Sequence, residues 1–436
     1  MENWKNLMHL FVTVFLSYFA TCVVNPTIAD VTLEAVCPGQ DECSLAIYLT
    51  GFQQAIAGVG SVIIMPLIGT LSDAYGRKVM LTIPLTLAII PLVIMSVKRT
   101  TEFFYIYYVL KSLTAMVTDG GVICLSLSYL ADNVSEGKRV SAFGIFAGVF
   151  SAATVCGTLT ARILTTDRIF QVAAVAAVTA AVYMRVFLKE TSRGQVVVDA
   201  LDQPILKPIE PPTKTDLIKK IPLPKDILRL LNSSLTVSLA SFVAFFNSLA
   251  EAGIQSFLMY YLKKRFHFQK DQFADIWLIT YISATISSMV LMPTLGPLLG
   301  EETLLCMGLF AGFLNMLLDS IAWSPWVPYA SALLGLFLFL ATPSIRCIIS
   351  KQVGPYEQGI AQGCLMAIAS FANVISPLIY SPLSAWFLSD DPPFNFPGFS
   401  IFCVGLAWFI GFIISTMIKI HLARDRARTE PCSLLA

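Results

Sequence analysis

Four ionisable side chains stand inside long apolar runs: Lys111 and Asp119 in KSLTAMVTD, Glu251 in FFNSLAEAGIQSF and Arg346 in PSIRCIIS. An ionised group costs roughly 3 kcal/mol or more in hydrocarbon, so groups kept there border a polar interior. A carboxylate in a partly dry cleft takes up a proton more readily than one in water. Asp119 and Glu251 are therefore the candidates for proton coupling. Lys111 and Arg346 suit an anionic group on a substrate, and they suit equally well the neutralisation of the two carboxylates in an empty cleft; the residue types leave both readings open. Lys111 and Asp119 are separated by about 12 Å along a helix axis. They point about 80° apart, so both can border one cavity. That spacing predicts no direct pair, and each is expected to find water, substrate or another partner.

Amides stand in the same kind of setting. Asn25, Gln54, Asn247 and Asn373 are candidate substrate-binding groups, with Gln53, Gln255, Asn315 and Gln362 beside them in the sequence pattern. The plainer reading of any single amide is a hydrogen bond between two helices. Asn25-Pro26 is expected to break the first run, because proline has no N–H to continue a helix. Arg162 and Asp319 fall near run ends, where a side chain can reach the surface. Two of the three histidines, His267 and His421, fall in a loop and the tail, which argues against proton coupling through imidazole.

The elements that hold these groups follow from composition. Of 436 residues, 56% are apolar and 13% charged, against about 25% charged in an average soluble domain. A soluble fold has no interior large enough for such a chain, so the excess must face lipid. Runs of about 20 apolar residues, the length of a helix across a bilayer core, recur throughout. Twelve are read, over 8–28, 48–71, 79–97, 103–130, 139–163, 169–188, 235–262, 273–293, 302–321, 327–350, 357–384 and 396–418. The alternation of a transmembrane barrel is absent. The predicted fold class is an all-α membrane protein of twelve transmembrane helices in two pseudo-symmetric six-helix bundles. The bundles are read as 1–188 and 235–418, joined by a polar linker over 189–234, with a tail over 419–436. PILKPIEPPTK marks the linker, and TDLIKKIPLPKDILRLL at its end reads as an amphipathic surface helix. Two parallel six-helix repeats enclose a cleft that rocking exposes to either side.

Positive residues place the termini. Arg77, Lys78, Lys138, Arg139, the linker cations, Lys351 and the tail fall on one side, which the positive-inside rule makes cytoplasmic. KKRFHFQK at 263–270 is a basic loop on the other side and runs against the sum. Cys37 and Cys43, in CPGQDEC, fall outside and can pair where the compartment oxidises. No cleavable signal peptide is expected. The net charge of +1 gives no reason to expect nucleic acid. No cofactor or metal is expected. A phosphate loop, a G-x-S-x-G elbow and an H-E-x-x-H pair are all missing, so an enzyme is not expected.

GTLSDAYGRK at 69–78 closes the second run. Gly69 permits close helix approach, Gly76 a tight turn, and Arg77 and Lys78 anchor the inner side. Asp73 is the odd member, since a helix C-terminus disfavours a carboxylate. Arg77, four residues on, offers compensation, and the N-terminus of a neighbouring helix would offer more. A static anchor and a contact made in only one rocking state fit equally.

This stretch resembles the signature between helices two and three of the major facilitator superfamily, G-x-x-x-D-x-x-G-R-K/R, at every fixed position: Gly69, Asp73, Gly76, Arg77 and Lys78. The resemblance implies a conformational latch, with Asp132 in SYLAD as a further acidic partner. The second half lacks a copy: LGPLLGEE places Glu301 and Glu302 where cations would be expected. SYLADNVSEGKRVSAFGIFAGVFSAATVCG at 128–157 carries a likeness to the tetracycline-exporter-like branch, which includes hippocampus-abundant-transcript-like proteins and proton-coupled folate carriers. The G-P-x-x-G-G run of drug/proton exchangers is replaced by CGTLTA, with Thr158 for the proline. Lys111 and Asp119 repeat a cation–aspartate spacing of the folate carriers. The leading reading is a proton-coupled secondary transporter of a small organic, amphipathic or anionic solute, symporter or antiporter, expected as a monomer. An uncoupled facilitator and a non-transporting sensor or scaffold are the alternatives. The plasma membrane and a vacuolar or endosomal membrane are both open as its location.

Overall fold

In the computed structural model, residues 2–36, 38, 44–190, 234–268, 270–354, 357–387 and 396–429 are described. Cys37, Cys43 and all but the ends of the 189–234 linker lie outside them. The chain is helical throughout the described residues. It runs as α1 (Glu2–Val24), α2 (Ile28–Val36), α3 (Ser44–Tyr75), α4 (Arg77–Val97), α5 (Thr101–Asn133), α6 (Arg139–Ile163) and α7 (Thr166–Phe187). Beyond the linker come α8 (Leu235–Phe266), α9 (Lys270–Ile286), α10 (Met292–Leu299), α11 (Glu301–Ser320), α12 (Val327–Ala332), α13 (Gly335–Leu338), α14 (Ala341–Gln352), α15 (Gln358–Phe387) and α16 (Phe399–Thr429). Among the described residues twelve stretches are long and apolar enough to cross a membrane, making this a multi-pass membrane protein.

Local chemistry sets the breaks. α1 stops at Val24, one residue before Asn25-Pro26. Gly76 (φ 101°) and Gly300 (φ 77°) turn the corners between α3 and α4 and between α10 and α11, a backbone region that favours glycine. The eighth span is interrupted by one π turn, Ser287–Leu291. The tenth is built from three short pieces, α12 to α14. α16 continues to Thr429, about three turns past the apolar run, so the predicted tail begins as helix.

The first six and last six spans meet along two antiparallel seams. In one, α3 lies on α15: a Cβ at Gly69 would enter the carbonyl of Gly359, and one at Gly58 would come within 2.8 Å of Val374. In the other, α6 lies on the eighth span, with Gly144 against Met292 and Gly296 against Val140. Small residues let helix backbones approach where lipid gives no hydrophobic drive between them. At the Asp73 end the contact is continuous: Met292, Leu304, Leu340 and Cys347 join the buried core of the first six spans. There Arg139 Nη1 also donates to the Ser350 carbonyl at 2.8 Å. At the opposite end Arg162 and Asp275, both half-exposed, stand 4.0 Å apart across the second seam.

Candidate functional site: a closed corner and two polar clusters

The Asp73 corner is built from the last turn of α3, the first of α4, the end of α5 and the start of α15. Asp73 accepts N–H bonds from Gly359 (3.2 Å) and Ile360 (3.1 Å), at the N-terminus of α15. A helix N-terminus carries free donors and positive potential, which offsets the unfavourable position of Asp73 on its own helix. Arg77, 4% exposed, bonds Asp73 and, through Nε at 2.8 Å, Asp132. The Ser72 hydroxyl accepts from the same guanidinium. Glu190 accepts the backbone N–H of Lys78 at 3.1 Å, so the start of the linker caps α4. Gly69, Asp73, Gly76, Arg77, Lys78 and Asp132 are thus gathered in one place.

The second half has its own corner with the charges exchanged. Arg77 opens α4 and bonds Asp132 near the end of α5; Glu301 opens α11 and bonds Lys351 near the end of α14 at 2.6 Å. A carboxylate at a helix start and an ammonium at a helix end agree with both dipoles, whereas Arg77 and Asp132 oppose theirs. The second pair is therefore favoured by its own helices, and the first is supported by Asp73 and α15. The absent cations at 301–302 reflect this inversion.

A cavity of about 380 Å³ lies within the first six spans, lined among others by Tyr18, Asn25, Gln54, Tyr107, Lys111 and Asp119. One expectation fails here. Lys111 Nζ and Asp119 Oδ1 stand 3.3 Å apart on α5, an ion pair with side chains 28% and 52% exposed. The spacing argument measured backbone to backbone. The lysine stem extends towards the helix C-terminus while the aspartate leans towards the N-terminus, and together they close the gap.

The remaining candidates do not line that cavity. Asn247 Nδ2 donates to Glu251 Oε1 (2.9 Å) and reaches Thr342 Oγ1 (3.1 Å), and the Thr342 hydroxyl donates to the same Oε1 at 3.2 Å. Buried Trp408 donates its indole N–H to Asn247 Oδ1 at 3.0 Å. Arg346 is held by neutral acceptors, Gln362 Oε1 at 2.9 Å and Met366 Sδ at 3.1 Å. Asn373 lies exposed on α15. Asp319 does not reach the surface as expected; it is 3% exposed.

The sequence reading missed Thr342, Trp408 and Met366. A tryptophan or threonine inside an apolar run has no mark that separates it from packing. Trp408→Phe is expected to leave the Asn247 carbonyl unpaired at a cost of about 1–3 kcal/mol. A lowered unfolding midpoint in detergent checks this, and an unchanged midpoint counts against the bond.

Twelve membrane-length helices in two sets that meet on antiparallel seams, with clusters of polar groups between the helices, are the architecture of a solute carrier. The model of the Major Facilitator Superfamily matches residues 10–377, and the chain belongs to that family. It is similar to hippocampus abundant transcript 1 protein of Homo sapiens, 23% identical over 86% of this chain and 72% of that protein. It is also similar to the class H tetracycline resistance protein of Pasteurella multocida, 22% identical over 91% of each. Among solved structures, the human organic anion transporter MFSD10 (TETRAN) superposes with a TM-score of 0.76 at 16% identity, covering 95% of this chain and 100% of that one. The proton:xylose symporter XylE gives 0.63 at 18% identity, over 94% of each chain. The protein is a transporter of the superfamily.

Proposed function

We propose that the protein carries a small organic, amphipathic or anionic solute by alternating access and that protons drive it. The observation that carries this reading is the Lys111–Asp119 pair inside the first-half cavity, 3.3 Å apart and open to solvent. With Asp119 ionised, Lys111 is already neutralised and a substrate anion must compete for it. A proton on Asp119 discharges the pair and frees Lys111 for the anion. Proton and anion then enter together, which favours symport. Arg346, hydrogen-bonded to Gln362 and Met366, offers a second cation, and Glu251 a second carboxylate. Asn25 and Gln54 are the cavity's amides for orienting the substrate; Asn247 and Asn373 belong to the second half. The relatives named above fit the reading: one structural neighbour is an organic anion transporter and another a proton:xylose symporter.

The two helix sets, 1–188 and 235–418, are the bodies that rock. The Asp73 corner is the latch, closed here by α15, and the termini face the cytoplasm of a plasma, vacuolar or endosomal membrane. The carrier works as a monomer.

The test is uptake into proteoliposomes, with substrates chosen by thermal stabilisation across an organic-anion library. Wild type is expected to accumulate substrate under an inward proton gradient. Asp119→Asn keeps Lys111 permanently free and cannot take a proton, so accumulation is expected to fall to equilibration while downhill exchange persists. Gradient-driven accumulation by Asp119→Asn would remove the proposed coupling. Wild-type flux indifferent to the gradient would mean a facilitator, and no flux of any solute would mean a sensor or scaffold.

A further inference from the structure

Asp319 is a buried carboxylate that the scheme above does not use. It is the penultimate residue of α11, where the helix dipole opposes a negative charge. Among the described residues no lysine, arginine or histidine stands within 4.0 Å of it. Tyr261 of α8 faces it but donates to the backbone carbonyls of Asp319 (2.9 Å) and Ser320 (3.2 Å), not to the carboxylate. Arg265 of α8 makes no ion pair with it, and Asp275 of α9 has Arg162 as its ion-pair neighbour. An uncompensated ion in this position would cost several kcal/mol.

The hydrogen count identifies the compensation. Ser331 Oγ stands 2.5 Å from Asp319 Oδ1 and 3.0 Å from the Pro328 carbonyl. A serine hydroxyl has one hydrogen and can donate to only one of these acceptors. Both contacts are satisfied if the aspartic acid donates to Ser331 Oγ and Ser331 donates to Pro328. That arrangement needs a hydrogen on Asp319. The Asn315 amide is used elsewhere, donating to the Ser331 carbonyl at 3.1 Å. Beside these groups lies a cavity of about 50 Å³, lined by Asn315, Asp319 and Thr280 among others. It is large enough for a water, and Asn315, Asp319 and Thr280 are the polar groups in an otherwise apolar lining.

We propose that Asp319 is a proton-binding site of the carrier, held as the neutral acid against Ser331 and reached by water through the cavity beside Asn315. The site is separate from Asp119 and Glu251, and it stands whatever the transported solute is.

Infrared difference spectra of the full-length protein in nanodiscs, taken between acid and alkaline buffer in H2O and D2O, test it. The spectra are taken in an Asp119→Asn, Glu251→Gln background, which removes the other two proton-binding candidates; there a protonated-carboxyl carbonyl band that shifts in D2O is expected, and it is expected to be lost when Asp319→Asn is added. Ser331→Ala is expected to keep the band but move it to higher frequency, since the hydrogen bond is gone. This second variant decides the matter if Asp319→Asn does not fold. A band unmoved by Ser331→Ala, or one that persists in Asp319→Asn, overturns the proposal. So does thermal stabilisation by sodium chloride, but not choline chloride, that Asp319→Asn abolishes, because the site would then hold a metal cation.

Discussion

Arg77→Ala is expected to abolish transport in proteoliposomes and to open the Asp73 corner. The guanidinium is the shared partner of Asp73 and Asp132, whose side chains are 10% and 14% exposed. Removing the cation leaves two carboxylates buried beside each other, and breaking such a buried pair from one side costs about 3–5 kcal/mol. At 1.4 kcal/mol per decade, the closed arrangement loses about a hundredfold or more of its population. Lysine is not expected to rescue it. Nε and the Nη atoms bond Asp132, Ser72 and Asp73 from one rigid plane, which a single ammonium on a flexible stem cannot reproduce. Asp132→Asn in the Arg77→Ala background removes one of the stranded charges and is expected to recover part of the loss. The readout is labelling of Cys347 by a hydrophilic maleimide, with Cys347→Ser as control. That thiol is fully buried in the core joined at this end. Labelling no faster in Arg77→Ala than in wild type would show that the corner does not hold this end shut.

Gly69→Ala is expected to have the next largest effect, by sterics alone. The added methyl would enter the backbone carbonyl of Gly359, which has no rotamer to turn away, so α3 and α15 must separate. Overpacking of this kind costs about 1–3 kcal/mol. The penalty falls only on the arrangement in which the two helices touch. The expected outcome is a shift of about tenfold or more towards the state open at the Asp73 end, with slowed turnover and raised Cys347 labelling. Gly137→Ala is the control, since a methyl there meets nothing within 4 Å. Equal behaviour of the two variants would mean that this seam is not a contact of the working cycle.

Much of the molecule was legible from pattern. Lipid leaves the backbone few ways to satisfy itself, so apolar runs of bilayer length must be helices, and the run read at 139–163 coincides with α6. The oddity of Asp73 at a helix C-terminus was visible as an electrostatic deficit, and the deficit indicated the kind of partner required. What was not visible was which helix supplies it. Gly359 and Ile360 contribute backbone N–H groups, and backbone donors leave no trace in residue type. Trp408 was hidden for a related reason: in a chain whose exterior is apolar, a buried indole and a lipid-facing one look alike. The Lys111–Asp119 pair was misjudged because helix geometry fixes Cα positions and not the reach of a lysine.

The sequence by itself determined that the chain lives in a membrane, which stretches are long and apolar enough to cross it, and which few ionised groups must be sheltered. These follow from one-dimensional quantities: run length, hydropathy and the cost of charge in hydrocarbon. Only the tertiary structure decided how those groups are shared out. It placed Lys111 and Asp119 in a first-half cavity, Glu251 with Asn247 and Thr342 in the second half, and Asp319 in a pocket lined by no cation among the described residues. The physical reason is that compensation of a buried charge depends on distances of a few ångströms between helices far apart in sequence, and hydropathy carries no record of those distances.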